Sequence, residues 1–265
     1  IDESVISRLS NDYNYIFQFA AIVGVQNVVD QPYHVLHKNF VINHNALLLA
    51  EAQKNLKCFI FTSTSEVQSN SPKYLKMPFP TSESFPICLP NLQEERSTYM
   101  LSKIYGEAMC YQRNIPCIIL RPHNIYGPRM GMSHVIPEIL HKIHVSEKND
   151  KIEVKSPKHM RAFCYIDDAI MLMEKLIFNS EETHLNDVYN IGNSESEVSI
   201  ESLVKILLEV TGRNDLEIFP AEDTKGSPSR RCPDITKTLA VTAVSPKVKL
   251  FDGCKLTWEW YRETF

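Results

Sequence analysis

Glycine is scarce here: the 265 residues hold eight, and Gly24 is the one glycine among the first hundred. A phosphate-cradling turn needs backbone that several glycines allow to come close to the ligand, so no glycine-rich loop of that kind stands in the first hundred residues. Positive charge is also in short supply. Lys and Arg number 28 against 32 Asp and Glu, giving a net charge of −4 and a pI near 6.2, which argues against a general nucleic-acid surface. Basic residues cluster only at Arg230-Arg231 and between Lys155 and Arg161, without the aromatic interleaving of a single-strand binder. The seven cysteines (Cys58, Cys88, Cys110, Cys117, Cys164, Cys232 and Cys254) are odd in number and contain no Cys-x-x-Cys pair. Most are expected to be small buried hydrophobes in a reducing compartment. His134, His141 and His144 could share a helix face, but no carboxylate joins them at ligand spacing, so no metal site is expected. No apolar run reaches spanning length, no signal-peptide pattern precedes the first strand, and no internal repeat is found. The expectation is a cytoplasmic globular protein with neither nucleic acid nor membrane as partner.

The sequence does contain an alternation of strand and helix patterns. Tyr15-Ile-Phe-Gln-Phe-Ala-Ala21 reads as a buried strand, followed by a helical stretch from about Val35 to Asn55. Cys58-Phe-Ile-Phe-Thr62 is a second apolar strand and Cys117-Ile-Ile-Leu120 a third, with a helix around Tyr99 between them. Such alternation predicts a parallel sheet with helices on both faces, and in that architecture ligands collect beyond the carboxyl ends of the strands. Thr64, Ser65 and Glu66 follow one strand end and Arg121 to Asn124 another, so both groups should line one crevice. The Pro-, Ser- and Thr-rich stretch from Ser69 to Ser97 reads as a long surface excursion. Beyond about Gly131 the pattern changes to helices near residues 135–144, 167–178 and 199–211, interleaved with short strands such as Val188-Tyr-Asn-Ile191. Ser199 is a plausible N-cap with Glu201 at the positive end of that helix, and the tail from Gly253 to Arg262 closes as an amphipathic helix. The chain should therefore divide near residue 130.

The most informative local feature is Tyr99-Met-Leu-Ser-Lys103, two common residue types whose spacing alone is a weak signal and gains weight from its surroundings. Spacing of i,i+4 puts a phenol and an ammonium on one helix face. A nearby ammonium stabilises phenolate and lets the oxygen act as a base near neutral pH. Asp167 and Asp168 could be an acidic pair for metal or acid–base work, although a helix N-cap explains them more simply. Arg230-Arg231, taken alone, reads as a solvated pair.

Several segments in order resemble the extended short-chain dehydrogenase/reductases, specifically the NAD-dependent nucleotide-sugar epimerases, dehydratases and decarboxylases. They are Phe17-Gln-Phe-Ala-Ala21, Phe61-Thr-Ser-Thr-Ser-Glu-Val67, Tyr99-x-x-x-Lys103 and Arg121-Pro-His-Asn-Ile-Tyr-Gly-Pro-Arg-Met130. Further on come Arg161-Ala-Phe-Cys-Tyr-Ile-Asp-Asp168, Tyr189-Asn-Ile-Gly192, Arg230-Arg-Cys-Pro-Asp-Ile-Thr-Lys237 and the closing helix, so the resemblance covers nearly the whole chain. It implies a Rossmann-like doubly wound parallel sheet lacking its first strands, with residues 1–130 a partial NAD-binding domain. Residues 131–265 would be mainly a smaller α/β substrate-binding region, with some segments returning to the first. The family opens with Gly-x-x-Gly-x-x-Gly after its first strand, whereas this chain begins just ahead of what looks like the fourth. Roughly 50 to 70 residues, at the usual size of a βαβ unit, are therefore expected to precede Ile1 in a full-length form. Were translation to start at Ile1, NAD binding should be weak or absent.

The resemblance also implies roles. Tyr99 would take a proton from the sugar C4 hydroxyl while hydride passes to NAD, Lys103 would lower the Tyr99 pKa and bind the nicotinamide ribose, and Thr64 would bond the same sugar oxygen. Glu66 would act near C5 and C6 of the sugar, or else merely orient its loop. Ala20, Ala21, Asn39, Thr62, Ser63 and Arg121 would line the cofactor side along with Tyr99 and Lys103. Asn124, Val135, Arg161 and at least one of Arg230 and Arg231 would meet the nucleoside-diphosphate sugar, because guanidinium forks suit phosphate oxygens. The leading function implied is epimerisation or dehydration through a 4-keto sugar. A UDP-glucuronate decarboxylase, which would want an arginine near the sugar carboxylate, is the nearest enzymatic alternative. An inactive sugar-nucleotide-binding or assembly subunit is the alternative of another class. Departures from the pattern include Gln18 in place of the usual His, Val67-Gln-Ser69 in place of Val-Tyr-Gly, and Lys155-Ser-Pro-Lys-His159 in place of Gly-Asp-Gly. A homodimer through two helices, one carrying Tyr99, is a further family expectation.

Overall fold

The run Cys58-Phe-Ile-Phe-Thr62 is apolar at four successive positions, and such a run suits a strand covered on both faces. The structure of the chain, a computed structural model, describes residues 3–6, 8–89, 91–178, 184–224 and 226–265. In chain order the first half gives α1 (Glu3–Ile6), β1 (Tyr15–Gln18), α2 (Val25–Asp30), α3 (Pro32–Glu51), β2 (Cys58–Thr62), α4 (Ser97–Tyr111), β3 (Cys117–Pro122) and β4 (Ile125–Tyr126). Then follow α5 (Val135–Val145), β5 (Lys151–Lys155), β6 (Met160–Ala162), β7 (Cys164–Tyr165), α6 (Ile166–Phe178), β8 (Asp187–Ile191) and β9 (Glu197–Ser199). The last elements are α7 (Ile200–Thr211), β10 (Glu217–Ala221), β11 (Arg230–Arg231), α8 (Thr236–Thr242) and α9 (Leu250–Tyr261).

Strands β1, β2, β3 and β8 form one parallel sheet in that spatial order. Alternate side chains of the central strands go to opposite layers. Phe59, Phe61, Cys117 and Ile119 pack with Ala46 and Leu47 of α3 and Cys110 of α4. Cys58, Ile60, Ile118 and Leu120 pack with Ala169, Leu172 and Leu176 of α6. Burying each large apolar side chain here stabilises the fold by about 1.5–3 kcal/mol. This is the expected Rossmann-like sheet with helices on both faces. The close fit of α4 to β2 depends on Gly106, since a Cβ there would stand 2.3 Å from the Phe61 ring.

A second core lies under α5, α7 and α9 and includes Ile136, Leu140, Ile152, Leu203, Leu207 and Cys254. Three short sheets frame it: β5 with β10, β6 between β11 and β9, and β4 with β7. Ser199 caps α7 by accepting from the Ser202 N–H at 3.0 Å, as its sequence position suggested. Helix α6 packs on the large sheet and β8 is one of its strands.

Several local features differ from expectation. Strand β1 stops at Gln18 because that side chain accepts from the Ala20 N–H and donates to the Ala20 carbonyl, which turns the backbone away. Helix α3 starts earlier, at Pro32, whose ring suits the first helical turn. The stretch after Ser69 is tied down rather than loose: Gln68 donates to the carbonyls of Ser82 and Phe85, and the Ser71 hydroxyl donates to that of Pro86. The N-cap reading of Asp167 and Asp168 is corrected. Both lie inside the first turn of α6, and the buried Asp168 carboxylate accepts the N–H groups of Lys247 and Val248 at 3.0 and 2.8 Å. Its task is to hold the segment that leads into α9.

Candidate active site

The carboxyl end of β2 and the first turns of α4 meet at the mouth of a cavity of about 320 Å³. Thr64 caps the short helical turn at Ser65–Gln68, its Oγ1 accepting from the Glu66 N–H at 3.2 Å. The Thr64 hydroxyl proton is then free to serve the Tyr99 phenol oxygen, with which the side chain is hydrogen-bonded. One turn along α4, the buried Lys103 ammonium donates to the Thr62 carbonyl at 2.6 Å. It lies 5.1 Å from the Phe61 ring centre and 5.9 Å from that of Tyr99. Thr64, Glu66 and Tyr99 face the cavity, with Asn124 and Arg231 on the same lining. Asn124 has a left-handed backbone (φ 42°), held by its side chain donating to the Ala162 carbonyl at 3.1 Å. Left-handed backbone is uncommon outside glycine and clusters at functional sites.

Burial first, and the Glu66 charge second, push the Tyr99 phenol up to about 12 while the Thr64 hydrogen bond pulls it down. The Lys103 ammonium lies near the same ring. It is brought down to about 8 by burial, against which the Glu107 carboxylate acts. Arg231 approaches Glu66 at 3.9 Å, and burial holds the Arg231 guanidinium below the usual range. Burial likewise brings Arg161 down to about 10, with the Arg231 charge adding to the effect.

The remaining expected residues fall into two groups. Arg161 and Arg231 both border a smaller cavity of about 180 Å³, which shares Glu66 and Arg96 with the larger one. Arg161 is anchored there by donating to the Ser227 hydroxyl and the Pro228 carbonyl at 2.9 and 2.7 Å. Thr62 carries a buried hydroxyl oxygen without a hydrogen-bond partner among the described residues. Ala20 and Ala21 lie in the partly open segment after β1. Asn39 stands behind that wall, with its carbonyl oxygen on the Ile22 N–H and its amide on the Ile22 carbonyl.

Four assignments do not match the geometry. Arg121 is 3 % exposed and forks onto Glu107 at 2.9 and 2.7 Å, so it cannot reach a cofactor. The Ser63 hydroxyl is spent on the same Glu107 carboxylate. Arg230 forks outward onto Glu197 at 2.8 and 2.7 Å and stacks on Phe79, away from the larger cavity. Val135 packs against the second core, while its neighbours Ser133 and His134 line the cavity. Sequence reasoning missed these two along with Val23, Gly24 and Arg96. Only Gly24 carried a signal, as the lone glycine of the first hundred residues, with φ 98°.

The model of the family described as NAD dependent epimerase/dehydratase matches residues 2–192. The chain is 29% identical over 276 aligned residues to a UDP-N-acetyl-alpha-D-glucosaminuronate decarboxylase of Bacillus cytotoxicus, covering 99% of this chain and 81% of that protein. It is 27% identical to a putative GDP-L-fucose synthase of Arabidopsis thaliana, covering 94% of this chain and 75% of that one. Among solved structures, a UDP-glucose 4-epimerase of Thermotoga maritima with UDP-glucose superposes with a TM-score of 0.83 at 25% identity, covering 99% of this chain and 82% of the other.

Proposed function

The chain belongs to the NAD dependent epimerase/dehydratase family, and on that premise we propose how its own residues carry out epimerisation or dehydration of a nucleoside-diphosphate sugar through a 4-keto intermediate. The observation that carries this reading is the meeting of Thr64, Glu66 and Tyr99 on one cavity with Lys103 directly behind. Tyr99 is the base for the C4 hydroxyl proton. Thr64 donates to the oxygen that gains negative charge, and Lys103 supplies a fixed cation near the ring. The ketone so formed acidifies the adjacent C–H, and Glu66 is the second acid–base group, which decides what leaves or inverts.

The residues present fit the nicotinamide-ribose end of NAD. Lys103 has three donors, of which the Thr62 carbonyl takes one, and the buried Thr62 hydroxyl awaits a partner. These two residues would hold the ribose, with Ala20 and Ala21 as the neighbouring wall. NAD, when bound, accepts the hydride and brings a cationic ring that favours phenolate. Arg231, Arg161 and Asn124 are assigned to the diphosphate and sugar, while Arg230 is not.

A second reading is favoured by a specific contact. Decarboxylation of a nucleoside-diphosphate uronate requires an arginine at the sugar carboxylate, and Arg231 stands 3.9 Å from Glu66 on the cavity lining. The test is to incubate the protein with NAD and a panel of UDP-, GDP-, CDP- and dTDP-sugars, uronates included, and read products by mass spectrometry and NMR. Loss of carbon dioxide selects decarboxylation, loss of water selects dehydration, and unchanged mass with inverted stereochemistry selects epimerisation. No turnover by a protein that binds NAD would overturn all three.

We also infer a homodimer in the cytoplasm. Helices α3 and α4 share an apolar outer face where Tyr33, Phe40, Leu89 and Tyr105 are exposed around a hollow of about 590 Å³. A second copy of the same face would cover it.

A further inference from the structure

Two successive residues at the end of β2 hold two successive turns of α4. The Thr62 carbonyl accepts from Lys103, and the Ser63 hydroxyl donates to Glu107, one turn further on. Glu107 then takes the bidentate fork of Arg121 from β3, with both side chains about 5 % exposed or less. The third branch of that guanidinium donates to the Glu83 carbonyl at 3.0 Å, and the Glu83 carboxylate accepts from the Asn190 N–H of β8 at 2.8 Å. A carboxylate with three side-chain donors is fixed in place. It lies one helical turn from Lys103 on the same face of α4.

We propose that Glu107, clamped by Arg121 and Ser63, is a positioning residue that seats the Tyr99–Lys103 face of α4 against β2 and keeps the Lys103 ammonium charged in its buried site. This rests on the roles proposed above for Tyr99 and Lys103. An ammonium among apolar groups tends to lose its proton unless a carboxylate opposes that loss. Glu107 supplies the opposing charge, and without the Arg121 fork it would itself be an uncompensated buried anion. Among the described residues, the charged and titratable groups acting on Lys103 and its neighbours are Glu107 and Tyr99 on its own helix, Glu66 beyond β2, which acts on Tyr99, and Arg121 of β3 on the Glu107 carboxylate.

The experiment is an NMR titration of lysine labelled with carbon-13 at Cε, the Lys103 signal being assigned with Lys103→Met. In the wild-type protein Lys103 should titrate at about 8, and in Glu107→Gln it should titrate at lower pH. The double variant Glu107→Gln with Arg121→Met strands no charge and keeps the packed volume, so it provides a folded protein if the single one unfolds. It too should titrate below the wild type. In turnover, Glu107→Gln should move the alkaline loss of activity to lower pH and lower kcat about tenfold, with KM for the nucleotide sugar little changed; Glu107→Asp should restore part of the loss. Unchanged Lys103 titration in whichever variants fold would overturn the proposal. The titration requires no substrate, so absence of turnover would count against the functional reading and leave this one to be judged on the titration.

Discussion

Glu66 and Arg231 meet at 3.9 Å on the lining of the cavity, although one follows β2 and the other belongs to β11, near the far end of the chain. That contact sets a carboxylate and a guanidinium side by side on the cavity proposed to take the sugar. It also bears on the base, because the Glu66 charge is one of the two influences that raise the Tyr99 phenol. A guanidinium that engages Glu66 weakens this influence. Glu66→Gln should therefore bring the Tyr99 phenol below about 12. Ultraviolet titration of tyrosinate, compared with the same variant carrying Tyr99→Phe, measures it. An unmoved titration would show that the two groups are not coupled.

Glu66→Gln should also separate the first chemical step from the second. In the proposed mechanism oxidation at C4 uses Tyr99 and not Glu66, so reduced nicotinamide should build up while final product falls by about 10²-fold, the usual scale for a lost acid–base group. Absorbance of the reduced cofactor alongside product mass spectrometry gives both quantities. Full product formation would make Glu66 an orienting group only.

Tyr99→Phe removes the phenol oxygen and little else. Turnover should drop about 10²–10⁴-fold with substrate affinity within a few-fold of wild type. Steady-state kinetics and calorimetric binding provide the two numbers, and an active variant would exclude Tyr99 as the base.

Arg121 is paired in the interior rather than waiting for a ligand. Arg121→Ala leaves the Glu107 carboxylate buried and uncompensated, which should cost about 3–5 kcal/mol of stability. Urea unfolding measures the loss. Replacing both partners by apolar groups of similar volume should cost much less, and an equal loss in the two variants would contradict the ion-pair account.

Alkaline pH should weaken the fold. Burial pushes the thiols of Cys58, Cys164 and Cys254 up to about 12 from 9.0. Between these values the unfolded chain releases thiol protons that the folded chain retains, so stability falls as pH rises. Lys103, Arg161 and Arg231 work the other way, since burial lets these cations lose their protons below the usual values, but the thiols of Cys110 and Cys232 are raised as well and bring the buried thiols to five. Denaturant midpoints in reducing buffer should decline across this window, and more shallowly in Cys254→Ala. A flat profile would rule out the buried-thiol account.

The apolar outer face of α3 and α4 should hold a second copy. Light scattering should give twice the chain mass for the wild type and the single mass for a variant carrying Phe40→Asp and Tyr105→Asp. A monomeric wild type would refute the dimer.

Much of the first layer was legible in sequence. The continuous apolar runs at Cys58–Thr62 and Cys117–Leu120 can be satisfied only by strands covered on both sides, and the i,i+4 spacing of Tyr99 and Lys103 puts them on one face of any helix. Thr64 and Glu66 could be placed beside them because ligands gather past strand ends. The second layer was legible as elements, helix by helix, but less so as lining: Val135 was chosen where His134 faces the cavity. Adjacent residues on the first turn of a helix point in different directions, and only packing against the second core settles which one turns inward.

The sequence by itself determined the sheet, its flanking helices and the gathering of Thr64, Tyr99 and Lys103, because these follow from local periodicity and from spacing within one element or one strand end. Tertiary structure alone decided which arginine serves the cavity and which serves the fold. Arg121, Arg161, Arg230 and Arg231 are equivalent as residue types, and a guanidinium takes whichever carboxylate or carbonyl the fold brings near it. Glu107 claims Arg121, Glu197 claims Arg230, and Arg231 is left facing Glu66. Those partners come from distant parts of the chain, and a pairing made across that distance is fixed only once both layers have packed.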